Sequence, residues 1–131
     1  EHEDHLDPET LRHFRSDIPI LICKFPTAKF RHHLESLGLT GIRELSSGEP
    51  FELAKGVKAT IFGTAEYTND AALFVEGDGC TVFNETDCKL GYADLQWLGN
   101  RGLDTGFYMF SGANWYPMMY DYPDEVKRAL T

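Results

Sequence analysis

The sequence predicts a layered α/β domain, and three features carry that prediction. Ile18-Pro19-Ile20-Leu21-Ile22-Cys23 is a short, branched, uninterrupted apolar run, as in a strand covered on both faces. Phe30, Leu34 and Leu37 recur at helical spacing until Gly38 stops the pattern. Beyond Gly38 the chain changes to short strand-like runs separated by Gly-containing turns. In such a domain functional side chains sit on loops at strand ends.

Asp7-Pro8-Glu9 opens the first helix, because the Asp side chain accepts from free backbone N–H groups and Pro fits the first helical position. This helix is expected from Pro8 to Arg15. The apolar run that follows is a strand with parallel neighbours, and Thr27 to Leu37 forms the second helix. Further strands are expected at Ile42 to Leu45, Phe51 to Leu53, Val57 to Phe62, Ala72 to Glu76 and Thr81 to Phe83, with Gly77-Asp78-Gly79 as the clearest hairpin turn. Ala93 to Leu98 reads as a helix and Gly106 to Phe110 as a strand, and Pro123-Asp124-Glu125 opens a last helix running to Thr131. Neither an internal repeat nor a low-complexity linker divides the chain, so residues 1–131 read as a single domain.

A chain of 131 residues, 42 % hydrophobic and 13 % aromatic, can bury a core. Its 21 acidic residues against 12 basic ones leave a charge of -9, which opposes the phosphate backbone and argues against a nucleic-acid partner. No apolar run approaches the roughly 20 residues that span a bilayer, and no basic-then-apolar signal peptide opens the chain. A soluble, cytoplasmic protein with no membrane partner is expected. None of Cys23, Cys80 and Cys88 sits in a C-x-x-C pair, which fits a reducing compartment. Cys23 and Cys80 lie in apolar runs and read as small hydrophobes, whereas Cys88, beside Asp87, could feel a metal.

His2, Asp4 and His5 place two imidazoles and a carboxylate just ahead of a helix, a donor set suited to zinc, iron or manganese. A solvated acidic terminus has the same composition, so residue types alone leave both readings open. Asp87 ends an apolar strand in Phe83-Asn84-Glu85-Thr86-Asp87-Cys88, where a carboxylate serves as a ligand or caps a turn. His13 lies on the first helix, and His32 and His33 are adjacent on the second, about 100° apart, so these face solvent rather than one site. Phe107, Tyr108, Phe110, Tyr120 and Tyr122 read mostly as core, while Trp115 and Tyr116, on a Gly-containing loop, can wall a substrate pocket.

Together these residues resemble the metallo-β-lactamase family, whose signature is His-x-His-x-Asp-His before a helix, a further ligand near a later strand, and an Asp ending the strand after that. His2, Asp4 and His5 match the last three ligand positions of the first motif, which puts its leading His immediately before Glu1. Asp87 matches the Asp that bridges two metals. His5-Leu6-Asp7-Pro8-Glu9-Thr10-Leu11, Phe83-Asn84-Glu85-Thr86-Asp87-Cys88 and Phe110-Ser111-Gly112-Ala113-Asn114-Trp115-Tyr116-Pro117-Met118 are similar to segments of the branch containing CMP-N-acetylneuraminate hydroxylase and its bacterial relatives. The resemblance implies an αββα sandwich of which this chain is a segment, incomplete at both ends. Where the family has a His before the bridging Asp, this chain has Thr64-Ala65-Glu66-Tyr67-Thr68-Asn69-Asp70. Glu66 falls at the expected place as a replacement ligand or else as a solvated loop residue, and Asp70 is the weaker substitute. The family's last His has no counterpart before Thr131.

The implied function is a dinuclear metal-dependent oxidoreductase, a non-haem diiron monooxygenase hydroxylating a small organic substrate. Of its two metal ions, iron is favoured over zinc or manganese because a carboxylate-enriched set suits it. A metal-dependent hydrolase of the same fold and a non-catalytic module with a decayed site are the alternatives. No Rieske-type Cys/His cluster is present, so an oxygenase would draw its electrons from an external donor.

Overall fold

The computed structural model describes residues 6–63 and 70–109. His2, Asp4, His5, Glu66, Trp115 and Tyr116 lie outside the described residues, as does the helix expected from Pro123. Helix α1 (Pro8–Arg12) begins where the Asp-Pro-Glu signal puts it. Asp7 accepts from the Glu9 amide at 3.1 Å, the Thr10 amide at 3.2 Å and the Thr10 hydroxyl at 2.5 Å. The Thr10 hydroxyl, followed by the Glu9 amide, holds the Asp7 carboxyl below its ordinary pKa. The helix stops at Arg12, short of the expected Arg15.

Strand β1 (Ile20–Cys23) pairs with β2 (Ile42–Leu45) in parallel, Ile20 opposite Ile42, as an apolar run covered on both faces requires. The crossover carries α2 (Lys29–Ser36). Arg31 on α2 bonds Glu35 at 2.9 Å and Glu44 on β2 at 3.1 Å, tying helix to strand. The second sheet has the order β3 (Pro50–Ala54), β4 (Val57–Gly63), β5 (Ala71–Gly77), β6 (Cys80–Asn84) and β7 (Thr105–Phe107). It is antiparallel up to β6, while β7 lies parallel to β6 after the crossover helix α3 (Tyr92–Arg101). The expected Gly77-Asp78-Gly79 turn joins β5 to β6: Asp78 and Gly79 have φ of 50° and 75°, the left-handed pair of a two-residue hairpin.

Three clusters fix the layers. Ile22, Leu34 and Leu39 join the small sheet to α2, with Leu11 of α1 packed beside them. Cys23, Leu45 and Ile61 join the small sheet to β4 of the large one. Phe62, Phe74, Phe83 and Leu98 place α3 on the far face of the large sheet, where Trp97 meets Phe62 and Phe74 edge-on at 5.0 and 5.2 Å. The result is a mixed α/β architecture with helices packed on two sheets. The two sheets approach closely at Gly63: a methyl group there would lie 2.3 Å from Cys23 Sγ, so any side chain at this position forces a shift.

Two expectations about the core fail. Cys80 is exposed because it pairs with Gly77 at the hairpin tip, not inside the sheet. Phe107 and Tyr108, expected in the core, are 60 % and 47 % exposed, since β7 is an edge strand. Among the described residues no helix is long and apolar enough to cross a membrane.

Candidate functional site: an acid-ended cavity between the sheets

Sheet register brings two carboxylates to one place. Leu73 of β5 pairs with Asn84 of β6, so the chain before Ala71 and the chain after Asn84 emerge at the same end of the sheet. The Thr86 hydroxyl donates to the Ala71 carbonyl at 2.8 Å and pins that emergence. Asp70 and Asp87 stand just beyond, and both line a cavity of about 750 Å³ walled by β1, α2 and the large sheet. Gly63 and Ala71, which flank the stretch containing Glu66, are themselves paired across β4 and β5.

Apart from its acidic end the cavity is mostly apolar, with Thr27 and Lys29 also on its lining. Ile20, Ile22 and Phe30 face it from the small sheet and α2, and Leu53, Ile61 and Leu73 from the large sheet. Leu53 and Leu73 are 50 % and 40 % exposed, an exposure that belongs to this groove. Leu6, the residue after His5, lines the same space as Asp87.

The acidic end is built with some strain. Thr86 has φ of 51°, in the left-handed region that a β-branched residue seldom enters. Its amide donates to Asn84 Oδ1 at 3.2 Å, and its hydroxyl lies between the Ala71 and Glu85 carbonyls, so the surrounding bonds hold the conformation. Oδ2 of Asp70 is buried and has no hydrogen-bond partner among the described residues. A buried acceptor left unpaired costs about 1–3 kcal/mol.

Of the thiols, Cys23 also lines this cavity, whereas Cys80 and Cys88 are not on its lining. Cys88 Sγ meets the Phe62 carbonyl at 3.6 Å inside the α3 core, and Cys23 is buried against Gly63. Burial first, then the nearby Cys88 thiol, push the Cys23 thiol up, the opposite of what a thiolate ligand needs. None of the three cysteines is in a disulfide.

A Rieske centre takes two thiolates on one iron and two imidazoles on the other. Cys23 and Cys88 are buried near one another but Cys80 is exposed at the hairpin tip, and no His stands within three residues after any of them. His13 bonds the Glu9 carbonyl at 2.7 Å on α1, while His32 and His33 lie on α2. These residues do not fit such a cluster. Among the described residues no group of three or more His, Cys, Asp or Glu side chains could hold a metal ion either. Of the expected metal ligands, only Asp87 is within the described residues. Asp70, weighed on sequence only as a weaker substitute, proves to share its cavity.

No protein-family profile matches the chain. A Mycolicibacterium smegmatis protein provisionally named a Rieske 2Fe-2S iron-sulfur protein is 31 % identical over 137 residues, covering 98 % of this chain and 26 % of its own length. A Mycobacterium tuberculosis protein of the same provisional name is 31 % identical over 142 residues, covering 98 % of this chain and 27 % of its own length. The chain thus spans about a quarter of the curated relatives it matches. Among solved structures, Zn(2+)-bound PqqB from Methylobacterium extorquens aligns with a TM-score of 0.40 at 14 % identity, over 59 % of this chain and 32 % of that one. The relatives overturn the expected diiron monooxygenase: over nearly the whole chain the names are those of iron–sulfur proteins. They also differ from the hydroxylase branch that the motifs resemble, and they support iron only in the broad sense that their names contain it. They lend nothing to two metal ions or to the hydrolase alternative.

Proposed function

We propose that this chain is the cluster-free, ligand-binding portion of a redox protein that works with a Rieske-type [2Fe–2S] cluster held outside these 131 residues. The observation that carries the reading is the cavity of about 750 Å³ with one acidic end, in a chain whose described thiols and imidazoles form no such group. A cavity of this size, mostly apolar with a few convergent polar groups, suits a small organic substrate. The electron donor expected from the sequence is then the cluster itself. When bound, such a cluster supplies single electrons; this chain's part is to hold the substrate between β1 and β5 and to limit water around it.

The reading keeps Asp87 as a metal ligand, with His2, Asp4, His5 and Glu66 as its partners in sequence. Leu6 supports this, because the residue after His5 lines the cavity that Asp87 closes. Trp115 and Tyr116 keep their place as substrate-contacting residues.

Calorimetry with a neutral apolar probe, 1-decanol, tests the cavity. One site per chain is expected, weakened at least tenfold by Leu73→Asp, which puts a charge on a half-exposed wall position without touching the buried core. Absence of saturable binding, or binding indifferent to Leu73→Asp, removes the ligand-binding reading.

A further inference from the structure

The cavity runs along one edge of β1. Ile20, Leu21, Ile22 and Cys23, every residue of that strand, line it, whereas no residue of β2 does. Successive side chains of a strand point to opposite faces, so a space that touches all four lies beside the strand and not on one face of it. The ladder to β2 fixes which peptide groups meet this space. The Ile20 amide donates to the Gly41 carbonyl at 3.0 Å and the Lys24 amide to the Leu45 carbonyl at 2.8 Å, with β1 and β2 parallel. Residues that bond one neighbour alternate along a strand, so Ile20, Ile22 and Lys24 serve β2, while Leu21 and Cys23 turn their N–H and C=O groups to the cavity side. Among the described residues no strand lies beside that edge. A hydrocarbon occupant would cover the apolar walls yet withdraw these backbone groups from water without giving them partners, which is costly.

We propose, on the reading of the cavity as a ligand site, that its ligand is a short, neutral, apolar peptide lying extended along β1 as an added strand. About three residues with blocked ends match the roughly 13 Å that the four residues of β1 span. In parallel pairing the N–H of the central residue donates to the Leu21 carbonyl, and the C=O of the same residue accepts from the Cys23 amide. The two end caps then reach the Leu21 amide and the Cys23 carbonyl, so the outer edge of β1 is satisfied along its length. The ligand's side chains alternate between Phe30 and Leu34 on the α2 side and Ile61 and Leu73 on the large sheet. Free termini would carry charge into a space with mostly apolar walls, which favours neutral ends.

Three probes titrated into the 131-residue chain test this: acetyl-leucyl-valyl-leucinamide, its analogue with an ester oxygen in place of the valine N–H, and 1-decanol. The peptide should bind and displace 1-decanol, and the ester analogue, which keeps the shape and loses the donor to Leu21, should bind about tenfold more weakly. Hydrogen exchange followed by nuclear magnetic resonance locates the contact. In the free chain the Leu21 and Cys23 amides should exchange faster than that of Ile22, which already faces β2, and the peptide should slow both by about tenfold or more while slowing Ile22 far less. Equal binding of peptide and ester analogue overturns the inference, and so do Leu21 and Cys23 amides as protected as Ile22 before any ligand is added. Binding of 1-decanol without binding of the peptide also overturns it and leaves the ligand-binding reading standing. Failure of all three probes removes both, so the two failures are distinguishable.

Discussion

Gly63→Ala probes the closest approach of the two sheets. The added methyl would sit 2.3 Å from Cys23 Sγ, 3.2 Å from Cys23 Cβ and 3.3 Å from Phe25 Cε1. Cys23 is buried and cannot retreat, so overpacking should cost about 1–3 kcal/mol. Replacing glycine within a strand returns roughly 0.5–1 kcal/mol of that. The net loss is about 1–2 kcal/mol. With a urea m-value of about 1–3 kcal/mol/M for a small protein, the unfolding midpoint should fall by roughly 0.5–1 M. Cys23→Ala alone should cost about 1 kcal/mol, the worth of one buried heavy atom and the gap it leaves. In the double variant the new methyl occupies the space left by the sulfur, so the two costs should not add. A favourable coupling of about 1 kcal/mol is expected, incomplete because Cys23 Cβ and Phe25 remain close. Strict additivity in urea denaturation would show that Sγ does not lie against Gly63, and the packing of β1 on β4 would be wrong.

Three further outcomes follow from particular atoms. Asp70→Ala should stabilise the ligand-free chain by about 1 kcal/mol by removing a buried oxygen that has no partner among the described residues; a lower unfolding midpoint would mean that this oxygen has a partner. Gly79→Ala, at φ of 75°, should cost about 1–2 kcal/mol in thermal or urea unfolding, and an unchanged midpoint would contradict the left-handed hairpin turn. Asp7→Ala should lower stability at neutral pH. Because the folded pKa of Asp7 lies below its ordinary 3.8, the ionised group's contribution is present above that value and is lost as pH falls through the folded one. The gap between wild type and variant should therefore narrow on acidification, and a gap independent of pH from 7 to 2 would contradict the Thr10 and Glu9 bonds to that carboxyl.

What the sequence reveals depends on how local each signal is. The Asp-Pro-Glu cap, the doubly covered β1 run and the Asp78-Gly79 turn are set by neighbouring residues, and all three appear where the pattern puts them. Cys80 misleads because an apolar run does not reveal that its first residue sits at a hairpin tip. Asp70 is easily passed over for a different reason. Its importance arises from the Leu73 to Asn84 register and from an unpaired oxygen, and neither is encoded in Thr68-Asn69-Asp70 itself. The positive φ of Thr86 is likewise imposed by bonds to Ala71 and Asn84 rather than by a turn-forming residue type. The metal motif is also a strong local pattern in its His and Asp spacing, but of its residues only Asp87 lies within the described residues. The absence of a Rieske Cys/His set, by contrast, can be read directly from the positions of Cys23, Cys80 and Cys88.

The most direct test of a cluster-free, ligand-binding portion is iron and acid-labile sulfide analysis of the 131-residue chain after anaerobic reconstitution with ferrous iron and sulfide, with electron paramagnetic resonance of the dithionite-reduced sample. The expected result is no acid-labile sulfide above that of a Cys23→Ala/Cys80→Ala/Cys88→Ala control and no Rieske signal, whatever iron the acidic end retains. Stoichiometric sulfide with a reduced [2Fe–2S] signal, lost in that control, would show that this chain holds the cluster itself and would contradict the proposal.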